Sequence, residues 1–569
     1  MALQAVLRDI DSGKLGRFIK IGMIAVILAG LCVLYFLYQF KGLGTEQAMD
    51  QAQIARSLVS GEGFSTRYIR PLAISQLKGA EKEVPSGGFP DFTHAPLHPL
   101  LEAAALFPVK KRLTMDVSEM IGTGDRAIAF LGIFLLLASV LVWYLAGLRL
   151  FDRTVALLAA GLLLVTDLMW QYAISGLPQQ LLILLLGLVT LSALKARQSD
   201  EEERSLPTLL WLAAAGLGLG LMSLTHGVTA FLLPGFLLFC YFGFKSRVPA
   251  ILIPLAVYLL CVFPWLFRNY LVCGNPLGLS SYVALAGSGV TESSLMRGVS
   301  TEINLGAGMA SKLRNSVLDQ AAHLWEYLGI NIVVVFFLTS VLHPFRNPAT
   351  SLWRWSVVLM WAGATLGMAL FGVKEVISGN QLHVIFLPLF LLYGGAFLLV
   401  LWNRLNISFK PLRIAFLSSV FLLAGTPMLI TIIIGGTSRI HWPPYVPPFI
   451  AVLQTWYKPQ ELLCSDMPWA VAWYANRKCL LIPETLRAFN EISDYGTLGT
   501  PIVGLYLTPV SGRQEFLSII KGPSKEWGPL IMRTANLNNF LLKSFTPLPI
   551  DGECVIYSDT PRWSAKADK

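Results

Sequence analysis

The sequence predicts an all-α polytopic membrane domain followed by a small α/β domain outside the membrane. Three observations carry this. Charged residues make up 14% of the 569 positions and hydrophobic ones 54%, with a mean hydropathy of +0.61; a soluble chain of this size holds about 25% charged residues. Apolar runs of about 20 residues, the length that crosses bilayer hydrocarbon, recur from Phe18 to Gly435. Beyond Gly435 that apolarity ends, and short strand-like and helix-like segments alternate. The expected division is 1–435 for the membrane domain and 436–569 for the outer domain.

The net charge of +10 does not point to nucleic acid, because Lys and Arg collect at the ends of the apolar runs, the distribution that orients spans. Arg8, Lys14, Arg17 and Lys20 precede the first run, Phe18 to Phe40, and hold the N-terminus in the cytoplasm. That run is too long for a cleaved signal and has no small-residue cleavage site behind it. The chain then emerges outside into a first outer loop, 41–125, too long and polar for a connector. Apolar Ala48, Ile54, Ala55 and Leu58 ahead of Gly61 and Gly63 predict an amphipathic helix lying on the membrane surface.

Further runs follow at about 127–148, 155–172, 181–194, 209–224, 228–244 and 250–267. Another ends near His343, the next runs from Trp353 to Lys374, and the last two are at about 383–402 and 414–434. That makes about eleven transmembrane helices, with Lys and Arg in every inner loop and the tail outside. In the tail, ELLCSD, PWAVAWYANR, KCLLIP, TLRAFNEISDY and PIVGLYLTP read strand, helix, strand, helix, strand, and ECVIYSD reads as a further strand. No GxGxxG follows a strand, so no nucleotide site is expected. No CxxC pair suggests zinc. Cys464 and Cys479 either form a disulfide or remain buried thiols.

The chemistry gathers in the first outer loop. Glu46 and Asp50 lie one helical turn apart on one face. A carboxylate there can deprotonate an acceptor hydroxyl within hydrogen-bond reach. Two close acids divide acid and base roles or share a divalent cation; a solvated surface helix carrying two acids has the same spacing. Arg56, Arg67, Arg70, Lys78 and Lys82 follow, and Arg268, Lys374 and His383 stand at the outer ends of spans. Positive charge outside runs against the usual bias. Arg there binds phosphate bidentately or contacts lipid headgroups. His94 and His98 are four apart, but Pro96 and Pro99 interrupt the helix that would aim both at a metal, and the segment reads as a turn into a short helix from Leu100 to Leu106. No metal site is expected.

In order along the chain, MDQAQIARSLVSGEGFS, HAPLHPLLEAAAL, PWLFRNYLVCGNP and CSDMPWAVAWYANRKCLLIP resemble the GT-C superfamily of polytopic glycosyltransferases. The similarity is to its branch of protein O-mannosyltransferases, lipid A aminoarabinose transferase and RgtA-like enzymes. It covers most of the chain, and its specificity lies in the ordered set. The resemblance implies a GT-C-like fold, with Asp50 as the catalytic acid of the first outer loop and Glu46 beside it. It places His94 where many members carry Lys or His near a lipid phosphate, and Arg268 as the Arg of the "RN" element. His383 stands near where an Arg often precedes paired prolines. Arg56, Arg67 and Lys374 complete the expected phosphate-binding set. The chain departs from the pattern in having Met49 and Gln51 around Asp50, where many members have adjacent acids, and Pro178, Gln179 and Gln180 where many carry an acid.

The implied activity moves a hexosyl or pentosyl group, with inversion, from a polyprenyl-phosphate sugar to a hydroxyl of a lipid, glycan or protein acceptor. It takes place on the outer face of the inner membrane among membrane lipids, with no nucleic acid and no cofactor, a divalent cation on the acids being the one variant. The competing class is a polytopic transporter or flippase of a lipid or glycan. Its marks are internal repeats and mid-membrane charges, whereas here the charges gather at span ends.

Overall fold

The computed structural model describes residues 14–84, 88–290, 292–300, 308–345, 347–373, 375–406, 409–434, 447–494, 498–507, 522–538, 540–545 and 555–563. The first span is α1 (Lys14–Gln39). The outer loop forms α2 (Glu46–Ser60), strands β1 (Ser65–Thr66) and β2 (Tyr68–Ile69), α3 (Pro71–Gly79), β3 (Phe89–Pro90) and α4 (Leu97–Leu106). The membrane helices continue as α5 (Thr123–Leu150), α6 (Arg153–Val165), α7 (Asp167–Ile174), α8 (Gln179–Glu201), α9 (Ser205–Ser223), α10 (Leu233–Gly243) and α11 (Arg247–Cys273). After the second outer loop come α12 (Val333–Ser340), α13 (Pro348–Phe371), α14 (Leu387–Arg404) and α15 (Lys410–Ile434).

Among the described residues eight helices are long and apolar enough to cross a membrane, and α6 with α7 forms a ninth if that pair, bent by 59°, is one span. A count of eleven is reached only by adding the shorter apolar stretch Gly227–Gly243 and α12. The chain is thus a multi-span membrane protein.

The break between α6 and α7 has a local cause. Thr166 is extended, and its hydroxyl turns back to the Leu162 carbonyl at 2.7 Å. The Leu164 carbonyl, freed by the break, accepts the Trp170 indole N–H at 2.8 Å. Backbone groups loosened inside a bilayer need such partners. Asp167 at the break accepts from Tyr35 of α1 at 2.9 Å, Gln171 at 2.6 Å and Thr431 of α15 at 3.0 Å. One carboxylate therefore ties the first and last spans to the broken one.

Helix α2 differs from its sequence expectation. Thr45 caps its start by accepting from the Ala48 N–H, and Gly61, at φ +82°, ends it. Every residue from Ala48 to Ser57 is buried, polar ones included. It is therefore an internal helix, because α4 packs on one side and the tail folds over another.

The tail contributes β4 (Leu462–Ser465), β5 (Lys478–Leu481), α16 (Leu486–Asp494), β6 (Ile502–Leu507) and β7 (Val555–Ser558). Their sheet runs in the order β2-β5-β4-β6-β7, parallel except for β7. Its edge strand β2 belongs to the first outer loop, so the sheet crosses the division drawn at residue 435. Cys464 and Cys479 are free, buried thiols on neighbouring strands. The HWPPYVPPF bridge lies mostly outside the described residues.

A close approach after α11 holds the loop in place. Gly278 has φ +57°, and a Cβ there would stand 1.8 Å from the Phe92 carbonyl oxygen. Gly278→Ala is expected to destabilise the protein by about 1–3 kcal/mol, read as a lower thermal midpoint in detergent; an unchanged midpoint would show that this contact bears no load.

Candidate active site

Asp50 projects inward from α2 and is 1% exposed. Its Oδ1 accepts from Gln53 Nε2 at 3.1 Å, and its Oδ2 is ion-paired with Arg70 and lies 3.3 Å from His94 Nε2. Arg70 is the N-cap residue of α3 and follows directly on β2. Its guanidinium lies 3.8 Å from the ring centroid of Tyr68. Gln53 also donates to Thr66 Oγ1 at 2.6 Å and accepts the Arg67 N–H at 2.9 Å, which locks α2 to the strands.

Asp91, just past β3, forms the second layer. Its Oδ2 accepts the backbone N–H of Thr93 at 3.3 Å and of His94 at 2.9 Å, and its Oδ1 lies 3.4 Å from His94 Nδ1. The imidazole is thus held between two carboxylates. Arg268, at the outer end of α11, donates to the Asp91 carbonyl and to Asn269 Oδ1 at 2.9 Å. It also stacks on Trp265, 4.8 Å from the centroid. Its hydrogen-bond acceptors are neutral, so its charge has no paired carboxylate among the described residues.

The charges set one another. Burial opposes the Arg70 cation, but Asp50, then Tyr68 and Asp91, hold it protonated well above the ordinary arginine value. Burial also opposes the His94 cation, and Asp50 and Asp91 more than offset it, so its pKa is raised. Burial would raise the Asp91 carboxyl, yet His94 and the backbone N–H hold it below the usual range.

Several expected site residues do other work. Glu46 is exposed and accepts from the Tyr68 hydroxyl at 3.3 Å, so it does not face Asp50 as a partner acid. Arg56 does not line a phosphate site; it donates to the tail carbonyls of Ala472 and, at 2.7 Å, Trp473, and burial lowers it to about 9. Arg67 pairs with Glu62 at 2.7 Å and donates to the Asn476 carbonyl at 2.9 Å. In both cases the tail has folded over the guanidinium. His383 is buried, accepting from Trp361 at 2.9 Å, bonded to Gln320 at 3.1 Å and stacked on Tyr327, which fills both ring nitrogens. Lys374 lies outside the described residues.

Sequence reasoning passed over Asp91, Gln53 and Tyr68 and gave Arg70 no separate role. The signal for Asp91 was there: an acid three residues before His94 that can accept that residue's backbone N–H. The helix expected from Leu100 instead begins at Leu97, because Pro99 falls in the first turn, where its missing N–H costs nothing. This puts His98 against α2, with Nδ1 2.6 Å from Gln51 Oε1. Among the described residues no group of three or more His, Cys, Asp or Glu is arranged to hold a metal. A concavity of about 600 Å³ lies away from this cluster on the tail, around Arg487, Glu491 and Asp494.

Glu102, beneath α2, is fully buried; both its oxygens lack a hydrogen bond, and burial raises its carboxyl well above the usual range. Burial thus favours the neutral acid in the folded chain, whereas the unfolded chain ionises it near the ordinary value of about 4.3. Its contribution to stability is therefore full below that pH and declines as pH rises toward the folded value. Glu102→Gln should raise the thermal midpoint at pH 8 and change it little at pH 4; an equal shift at both would mean that the acid is charged in the fold.

A family model described as dolichyl-phosphate-mannose-protein mannosyltransferase matches residues 111–267. Among solved structures, the chain is similar to the oligosaccharyltransferase AglB of Archaeoglobus fulgidus, in complex with an inhibitory peptide and a dolichol-phosphate. That match has a TM-score of 0.56 and 13% identity, over 88% of this chain and 71% of the other. It is also similar to ArnT from Cupriavidus metallidurans bound to undecaprenyl phosphate, with a TM-score of 0.55 and 12% identity, over 95% and 98% of the two chains. No curated protein matches it in sequence. At such identities the structural likeness is one of fold alone, the fold that this chain shares with AglB and ArnT.

Proposed function

We propose that this chain, GT-C in fold and matched over one segment by a mannosyltransferase family, is a membrane glycosyltransferase. It moves a sugar from a polyprenyl phosphate to an acceptor hydroxyl on the outer face. The observation that carries this is a buried carboxylate, Asp50, set among Arg70, His94 and Gln53, with the unneutralised Arg268 joined to the same cluster through Asp91. The binding of undecaprenyl phosphate by ArnT and of a dolichol-phosphate by AglB supports a lipid phosphate as the anion.

In the reaction Asp50 takes the proton of the acceptor hydroxyl, and that oxygen attacks the anomeric carbon. The bond between the anomeric carbon and the phosphate oxygen breaks, and its electron pair leaves with the lipid phosphate. One displacement inverts the anomeric centre. Arg268 and protonated His94 stabilise the charge that develops on the phosphate, the kind of fixed electrostatic aid that is worth about 3 kcal/mol per donor. The N–H donors that border Asp50 suit a neighbouring anion better than a divalent cation, and the displacement itself consumes no cofactor. The positive-inside pattern supports an inner-membrane orientation with a cytoplasmic N-terminus and a periplasmic tail.

The test is transfer of radiolabelled sugar from a polyprenyl phosphate by purified protein. Asp50→Asn should lower the rate by about 100-fold or more and leave lipid binding intact. Equal activity would remove Asp50 as the base. If neither form consumes the donor, the transporter or flippase reading takes over. Donor affinity should also follow pH. It should be full below the ordinary histidine value of 6.5 and weaken as pH rises through the higher pKa of His94. His94→Gln should flatten that dependence, and a wild type with no pH dependence would remove His94 from the phosphate.

A further inference from the structure

Strand β2 is two residues long, too short to hold itself. It pairs in parallel with tail strand β5, Tyr68 opposite Cys479 and Ile69 opposite Leu480, and the Cys479 N–H donates to the Arg67 carbonyl at 2.8 Å. Side chains two apart on a strand share a face, so this pairing sends Tyr68 and Arg70 the same way. The Tyr68 ring is 2% exposed and lies between two groups. These are tail residue Trp469, 5.9 Å between centroids, and the Arg70 guanidinium, 3.8 Å from the centroid. Its hydroxyl donates to Glu46 in the first turn of the helix that carries Asp50. A guanidinium held this close over a ring has fewer orientations open to it, and here it presents Nη2 to Asp50 Oδ2.

We propose that Tyr68 is a positioning residue for Asp50: the tail sheet holds its ring under Arg70, and the ring fixes the Arg70 edge that orients the Asp50 carboxylate. The tail is then part of the transferase site. This rests on Asp50 acting as the base. Removing the ring leaves Arg70 able to swing, so the carboxylate is no longer aimed at the acceptor and its charged partner no longer sits at a fixed distance.

The experiment compares Tyr68→Leu, Tyr68→Phe and Asp50→Asn in the full-length protein by kcat, donor KM and the pH profile of kcat/KM. Tyr68→Leu should lower kcat by about 10- to 100-fold, leave donor KM within about twofold, and displace the acid limb of the profile. Tyr68→Phe, which keeps the ring and loses only the bond to Glu46, should retain most of kcat and the wild-type profile. If Tyr68→Leu does not fold, Trp469→Leu, which removes the tail-side support of the ring, should show the same displacement in milder form. A leucine variant with wild-type kcat and profile overturns the proposal. So does an equal loss in the leucine and phenylalanine variants, which would assign the effect to the hydroxyl. Full activity in Asp50→Asn defeats the base reading itself, whatever Tyr68 does.

Discussion

The structure of the site depends on one buried ion pair, Arg70 with Asp50. Both groups are almost wholly out of water. Burying a single charge is costly, and removing one partner of such a pair costs about 3–5 kcal/mol because the other is left uncompensated. The surroundings follow from that constraint. Gln53 and His94 approach the same carboxylate, the Tyr68 ring covers the guanidinium, and Asp91 balances His94. The partners come from three parts of the first outer loop, α2, β2 with the residue after it, and the stretch after β3, so the loop cannot take another shape without opening the pair.

The same constraint explains why so polar a helix is internal. Helix α2 buries Asp50, Gln51, Gln53, Arg56 and Ser57, and each finds a partner: Arg70, His98, Thr66, tail carbonyls and its own backbone. Arg56 in particular bonds two carbonyls of the tail's π-helical turn at Val471–Ala475. Trp473, whose carbonyl it uses, donates its indole N–H to Asp125 at the start of α5 at 2.6 Å. Loop, tail and membrane helix thus meet through a chain of polar contacts that would be solvated, and worth little, if the tail stood away.

The membrane part follows a different rule. Its helices present apolar faces outward, with Phe130, Phe134, Leu260 and Ile433 among the exposed residues. Polar side chains are kept for joints such as Asp167, where three neutral donors hold a carboxylate at a helix break. Hydrocarbon supplies no hydrogen bonds, so the Asp167 carboxylate draws its partners from the protein.

The sequence by itself determined the membrane class, the place of most spans and the strand and helix order of the tail, and it named Asp50, His94 and Arg268 among its candidate site residues. These rest on local signals: hydropathy over about 20 residues, short apolar segments in the tail, and short motifs. Only the tertiary structure decided which charges meet. It gave Arg56 and Arg67 to the tail, enclosed His383 between Trp361 and Gln320, turned Glu46 outward and brought Asp91 and Arg70 to Asp50. It also put β2 of the loop into the sheet of the tail, joining residues about 410 positions apart. An ion pair or a parallel strand pairing leaves no periodic trace, because its energy depends on which distant surfaces close over it and exclude water.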